Sequence, residues 1–414
     1  METKLIIDII LILLVAWLLG DLFQRLRLPR LLGELLGGLL LGPPLLGWVQ
    51  PHEGLTILAD LGVFFLMFYS GMEMDPRKLL EQFWISLAVA VGGFILPFAV
   101  GYGVAVLYGA TTFQALIIGM GLSITAIAVQ TRVLQELEIH HSKVGHIIIG
   151  AAIVDDILAL VTFSVLTNLA KTGSVDPFSL LIMIGKVAAF FGCTILVGQF
   201  VLPPLTRRIK DREAKGFTFA LLIALIMGYL AEMVGLHIII GAFLAGQFVR
   251  QEVIEPELYH KLHDRFFNII YGFLGPIFFV SLSFEVTLDL PAHDWFLLAA
   301  VVGVAIFGKV VGCGLPVLFF RRSWREALVI GLGMNGRGEV ALIVAKEILL
   351  LSSVLLANGM IGSPLLTEAQ FTILILMAFI TTLITPISLR LTVPRVCADS
   401  DQDFCHLWRN SPLN

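Results

Sequence analysis

The sequence predicts an all-α polytopic membrane protein: thirteen transmembrane helices in an inverted-topology repeat of six, one and six, with two broken crossing helices. Three observations carry this. Of 414 residues, 58% are hydrophobic and only 14% charged, where soluble domains carry roughly a quarter charged residues. Apolar stretches long enough for a bilayer, about 20 residues each, recur from end to end, with a mean hydropathy of +0.94. Three short segments of the first half also return, in the same order, in the second. Helices are the structure such spans can adopt, because bonding within one segment satisfies every backbone group in lipid.

The spans are expected near 4–24, 31–42, 54–72, 82–108, 112–136, 144–169, 178–201, 216–234, 236–250, 264–284, 294–320, 325–350 and 367–391. The first is too long for a signal-peptide core and lacks a small-residue cleavage site, so it reads as a helix. The second and ninth are short and rich in glycine, and are expected to tilt or pack deep in protein. Residues 1–169 form the first half, 170–215 the linker helix and a basic loop, 216–391 the second half, and 392–414 a short tail.

Charge tests the count. With the N-terminus outside, the inner segments hold twenty-one basic residues, among them Arg25, Arg27, Arg30, Arg207, Arg208, Arg321, Arg322 and Arg325. Outside are Lys4, Lys171 and Lys346, and within spans Lys186, Lys309 and Arg337. Positive charge favours the cytoplasmic side, so the topology is N-out and C-in. A wrong count would scramble the alternation.

The repeat is read from "QALIIGMGLSI" (114–124) against "EALVIGLGMNG" (326–336), "LGVFFLMFYSG" (61–71) against "LGPIFFVSLSF" (274–284), and "GGLLLGP" (37–43) against "GAFLAGQ" (241–247). These pair helices 2, 3 and 5 with helices 9, 10 and 12. A shift of seven helices is odd, so each partner runs the opposite way. Such folds place their site near the midplane, at broken helices in corresponding positions.

Helices 5 and 12 are the candidates for breaking. "GMGLSITAIAVQT" mixes glycine, serine and threonine in mid-span, and "GLGMNGRGE" places Gly333, Asn335, Gly336 and Gly338 together. Each interior glycine costs a helix about 1 kcal/mol relative to alanine. Close glycine-mediated packing is the alternative for either helix alone; their pairing by the repeat favours a break. Unwound backbone in a membrane is tolerated where it is buried in protein or lines a cavity.

The charges at depth carry the chemistry. Asp155 and Asp156 lie near the middle of helix 6, in "GAAIVDDILALV". Helix neighbours point roughly 100° apart, so one carboxylate can face a cavity while the other meets a partner. Lys309, buried in "AIFGKVVG" of helix 11, is the evident partner. An intramembrane charge marks an ion or proton path, and one ion pair leaves one aspartate over. A buried carboxylate keeps a proton unless a cation takes its place. Na⁺ needs oxygen ligands, which a carboxylate, the Thr125 and Ser123 hydroxyls and freed carbonyls could supply; Ser123 could equally bond back to its own helix. Proton and cation would then compete for one site, which is the chemistry of exchange.

"LGVFFLMFYSGME", "GAAIVDDILAL", the lysine of "FGKVVG" and "GMNGRGEVALIVA" together resemble the monovalent cation:proton antiporter-2 family, and within it the bacterial sodium/proton antiporters of the NapA type. The resemblance covers the whole membrane region. It implies a homodimer in a bacterial inner membrane, a core domain moving against a dimerisation domain, Na⁺ (with Li⁺ possible) bound at Asp156, and Asp155 paired to Lys309. The aspartate pair with a lysine resembles the electrogenic branch, which moves more protons than sodium ions per cycle. Members often carry Thr-Ser where this chain has Thr125-Ala126, which puts one oxygen ligand in question. The attached nucleotide-binding regulatory domain of the Kef-like potassium members is not expected here.

Arg337 and Glu339 could pair with each other or, with Asn335, compensate the half-helix ends at the break, since dipole ends in lipid need compensation; the structural role is preferred to ion contact. "EIHHSKVGH" (138–146) could sense pH but reads first as a solvated turn. The four cysteines make no framework, and the tail pair Cys397 and Cys405 has no metal-site spacing. The expectation is secondary active transport, sodium/proton exchange serving pH homeostasis, with no cofactor, no enzymatic activity and no nucleic-acid partner, membrane lipid being the surrounding contact. K⁺/H⁺ exchange is the same-class alternative, because ligand type does not fix ion size. An organic-anion symporter on a related inverted-repeat fold is the alternative from another class, but adjacent carboxylates would repel an anion.

Overall fold

The protein is described by a computed structural model covering residues 2–172, 177–201, 213–249, 256–287, 290–291, 294–320, 322–358, 363–398 and 403–409. Every regular element among them is helical. The basic residues 207, 208, 210 and 212, with Arg250 and Arg321, lie outside the described residues.

In chain order the first helices are α1 (Glu2–Arg25), α2 (Arg30–Leu41), α3 (Glu53–Glu73), the short α4 (Pro76–Glu81), α5 (Phe83–Leu107), α6 (Thr112–Ser123), α7 (Ile127–Glu136), α8 (Lys143–Thr172) and α9 (Pro177–Leu196). There follow α10 (Glu213–Met233), α11 (Ile238–Gly246), α12 (Pro256–Ile269) and α13 (Gly275–Leu282), the last two joined by a π-turn at Ile270–Leu274. The chain goes on through α14 (Asp294–Phe319), α15 (Trp324–Gly333), α16 (Glu339–Ala357), α17 (Glu368–Ala398) and α18 (Asp403–Arg409).

Ten helical segments among the described residues are long and apolar enough to cross a membrane, counting α6–α7 as one and α12–α13 as one. Of the thirteen expected spans, the three others fall on α2, α9 and α11. With 12 residues, α2 rises about 18 Å, and the 9 residues of α11 rise about 14 Å. Both are short because each begins and ends on a residue that stops a helix: Pro29 and Gly42 for α2, His237 in extended backbone and the Gly246-Gln247 turn for α11.

Two compact units emerge. One comprises Met1–Ile9, His52–Arg77 and Asp176–Phe279. There α3 lies directly on α11, because a Cβ on Gly71 would collide with the Phe243 carbonyl and one on Gly246 with the Phe68 carbonyl. Glycine without a side chain is what lets two backbones approach in lipid, where apolar burial gives helices no drive to associate. The other unit comprises Ile10–Pro51, Lys78–Val175 and Val280–Asn414 and carries α5 to α8 and α14 to α18. Within it α5 and α14 meet through Gly92 and Gly312, each of whose Cβ would strike the other's carbonyl.

The tail cysteines depart from the reading that the cysteines make no framework. Cys397 and Cys405 form a disulfide, and Phe404 and Trp408 of α18 are buried. Pairing at such a spacing cannot be deduced from sequence. The 138–146 turn is likewise more enclosed than a solvated turn: His146 is buried, with Nδ1 2.7 Å from the Ser142 carbonyl oxygen.

Candidate functional site

The site assembles in the second unit, where four helices and two interruptions meet. Asp155 and Asp156 stand near the middle of the 30-residue α8. Lys309 lies on α14 one turn before Gly312, so the glycine contact that lays α14 on α5 also fixes the depth of the lysine. Its Nζ donates to Asp155 Oδ2 at 3.2 Å, and neither side chain has any exposed surface. Asp156, one residue further and about 100° around the helix, is 7% exposed.

Helix breaks flank this pair. After Ser123 the chain passes through Ile124 and Ala126 in extended backbone before α7 begins at Ile127. In the other hairpin α15 stops at Gly333 and α16 opens only at Glu339. The two breaks touch: the Gly336 carbonyl accepts the Ala126 N–H at 3.0 Å and the Gln130 side-chain amide at 2.9 Å. Cβ atoms on Gly336 and Gly338 would press on Val129, so these glycines are where the two interrupted chains cross.

Arg337 closes the crossing. It is fully buried. Its Nε and Nη2 donate to the Leu122 carbonyl at 3.0 and 2.6 Å, Nη2 also to the Ala305 carbonyl at 2.9 Å, and Nη1 to the Asn335 carbonyl and side-chain oxygen at 3.0 and 3.2 Å. A helix end leaves carbonyls without intrahelical partners, and a cation there also offsets the negative end of the dipole. The guanidinium does both for α6. Its charge also acts on Asp155. The Thr382 hydroxyl, from α17, donates to the Arg337 carbonyl at 2.5 Å.

The two hydroxyls of the first break differ. Ser123 Oγ lies 2.8 Å from the Phe94 carbonyl and 2.9 Å from that of Gly119, so its proton is spent on backbone. Thr125 Oγ1 is wholly buried and has no hydrogen-bond partner. Buried hydroxyls are normally bonded, so Thr125 is the oxygen left available. Asn335 Nδ2 is likewise unpartnered. Glu339 opens α16, and its side chain lies outside the described residues.

Gln130 and Thr382 escaped sequence reasoning. A glutamine and a threonine on apolar helices resemble ordinary tolerated polar residues; only the crossing gives them carbonyls to reach. The signal available was their position, five residues past the Thr125 break and on a helix with threonine at 381, 382 and 385.

A family model described as "Sodium/hydrogen exchanger, transmembrane" matches residues 9–394. Over 395 residues the chain is 34% identical to the Na⁺/H⁺-K⁺ antiporter GerN of Bacillus cereus, covering 95% of this chain and 97% of that protein. It is 30% identical to a Na⁺/H⁺ antiporter of Enterococcus hirae, covering 95% and 99% of the two chains. Among solved structures, the sodium proton antiporter MjNhaP1 of Methanocaldococcus jannaschii superposes with a TM-score of 0.70 over 99% of both chains at 16% identity, a likeness of fold.

Proposed function

The chain belongs to the sodium/hydrogen exchanger family, and from that premise we propose that it is an electrogenic Na⁺/H⁺ antiporter in which Na⁺ and H⁺ compete for Asp156. The observation that carries this reading is the enclosed Lys309–Asp155 pair beside a second buried carboxylate, at the point where two helices are interrupted. Asp156 with Thr125 Oγ1 and backbone oxygens offers a hard, oxygen-only donor set, which suits Na⁺ or Li⁺. Ser123 supports the break rather than the ion, as its bonds to Phe94 and Gly119 indicate. Arg337, with Asn335 and Glu339, serves the helix ends.

In the cycle, deprotonated Asp156 takes Na⁺ from the cytoplasm. The arriving charge weakens the Asp155–Lys309 pair, and Lys309 gives up its proton. Alternating access of the elevator type, with the aspartate-bearing unit as carrier, then exposes the ion outside. Sodium leaves, and protons returning to Asp156 and Lys309 reset the carrier. Two protons against one sodium make the cycle electrogenic.

The wider reading is thirteen spans as an inverted repeat, with α2, α9 and α11 completing the ten long segments. It also includes a homodimer in a bacterial inner membrane, N-terminus periplasmic and C-terminus cytoplasmic. Potassium is the second reading, favoured by one relative's description as a Na⁺/H⁺-K⁺ antiporter. Ion-jump currents from purified protein on a solid-supported membrane separate the two. Currents on Na⁺ and Li⁺ jumps that vanish in Asp156→Asn support the proposal, currents on K⁺ alone transfer it to potassium, and no response to any cation or to a pH gradient removes the transporter reading.

A further inference from the structure

A second buried cluster of ionisable groups lies away from the aspartates. Glu34 of α2 and Arg132 of α7 are 4% and 5% exposed. Arg132 Nη2 reaches Glu34 Oε1 at 3.3 Å, and Arg132 Nε lies 2.8 Å from Glu136 Oε1 one turn further along α7. The same Glu136 oxygen accepts the Leu31 N–H at 3.3 Å. It thereby satisfies a donor in the first turn of α2, whose N-cap Pro29 provides no side-chain cap. Two carboxylates thus grip one guanidinium and stitch α2 to α7.

The charges do not balance. Fully ionised, the three side chains carry one net negative charge, with Glu34 enclosed and the Glu136 side chain 12% exposed, and burying an uncompensated charge is expensive. The hydrogen bonds do not balance either. Glu34 Oε2 and Glu136 Oε2 are both buried without a partner, although buried carboxylate oxygens ordinarily accept hydrogen bonds. Among the described residues no cation besides Arg132 forms an ion pair with either carboxylate. Arg30, on α2 itself, acts on Glu34 only as a further charge without an ion pair to it. From the turn Ser283–Glu285 packed on α2, Glu285 is held by Lys346 at 2.6 Å. From α17, Arg390 donates to the Arg27 carbonyl.

A single proton answers both deficits, because two carboxyl groups sharing one site do not ionise together, and the acid O–H is a donor where none is present. We infer that Glu34, held with Glu136 on Arg132, is a second proton-holding site that keeps one proton between α2 and α7 and releases it as pH rises. Arg132 stands five residues into α7, about 7.5 Å of helix from the break, so this proton sits against the broken helix of the ion site without belonging to that site. The proposed exchange assigns the cluster no part, and the inference rests on that reading only for calling the site second.

The test is pH-difference infrared spectroscopy of the full chain in lipid, comparing the parent protein with Glu34→Gln, Glu136→Gln and Asp156→Asn. A protonated-carboxyl band that disappears on raising the pH should be present in the parent and in Asp156→Asn. The component that remains in Asp156→Asn, and so does not come from Asp156, should be lost in Glu34→Gln and equally in Glu136→Gln, since either substitution leaves one carboxylate matched to one guanidinium. A purely structural ion-pair network would show no such component in Asp156→Asn, and its persistence in both glutamine variants would likewise overturn the inference. Ion-jump currents on the same Asp156→Asn sample judge the exchange proposal separately, so the two can fail independently.

Discussion

Lys309 Nζ donates to Asp155 Oδ2 across 3.2 Å with both side chains sealed from solvent, while Asp156, the next residue, belongs to a different face of the same helix. Two adjacent carboxylates therefore have different surroundings, and only one is committed to the lysine. Asp156→Asn, which keeps the shape and removes the ionisable group, is expected to abolish sodium-driven current and ²²Na⁺ uptake while the purified protein melts within a few degrees of the parent. Normal exchange by this variant would remove Asp156 from the mechanism.

The pair itself predicts a non-additive stability pattern. Lys309→Gln leaves Asp155 charged and enclosed, and breaking a buried pair from one side costs about 3–5 kcal/mol. Adding Asp155→Asn removes the stranded charge, so the double variant should melt above the Lys309→Gln single. If exchange needs only Asp156, the double variant still exchanges Na⁺ for H⁺ but carries no net charge per cycle. Currents without loss of electrogenicity would take Lys309 out of the proton count.

How much of this was legible in the letters depends on where the cause lies. The interruptions at 124–126 and 334–338 were readable, because glycine, serine and asparagine in mid-span weaken a helix wherever it sits. The depth of Asp155, Asp156 and Lys309 was readable because charge inside an apolar run is costly in any fold. What the crossing does with Gln130 and Thr382 was not, since a hydrogen bond to Gly336 or Arg337 carbonyls exists only once two remote segments meet. Glu34, Arg132 and Glu136 were hidden for the same reason: each stands near a helix end, where charge is unremarkable until the partner helix encloses it.

Helix proximity in the first unit rests on glycine. A Cβ on Gly71 would meet the Phe243 backbone and one on Gly246 the Phe68 backbone, neither of which can rotate aside. Gly71→Ala should push α3 from α11 and lower stability by about 1–3 kcal/mol, read as a reduced melting temperature in detergent. Gly303→Ala on α14, where a Cβ meets nothing, is the control and should melt like the parent or slightly above it, as expected of alanine in a helix.

Arg337 is asked for geometry as well as charge. Its guanidinium serves the Leu122, Ala305 and Asn335 carbonyls at once, a planar fork that one ammonium cannot reproduce. Arg337→Lys keeps the positive charge, yet at least one of those carbonyls loses its donor, at about 1–3 kcal/mol for each buried group left unmet. The expected outcome is a lower melting temperature and reduced yield for Arg337→Lys, and a larger loss for Arg337→Met, which also removes the charge that α6 meets at its last turn. If Arg337→Lys is as stable as the parent and only its transport falls, the arginine acts on the ion and not on the helix ends.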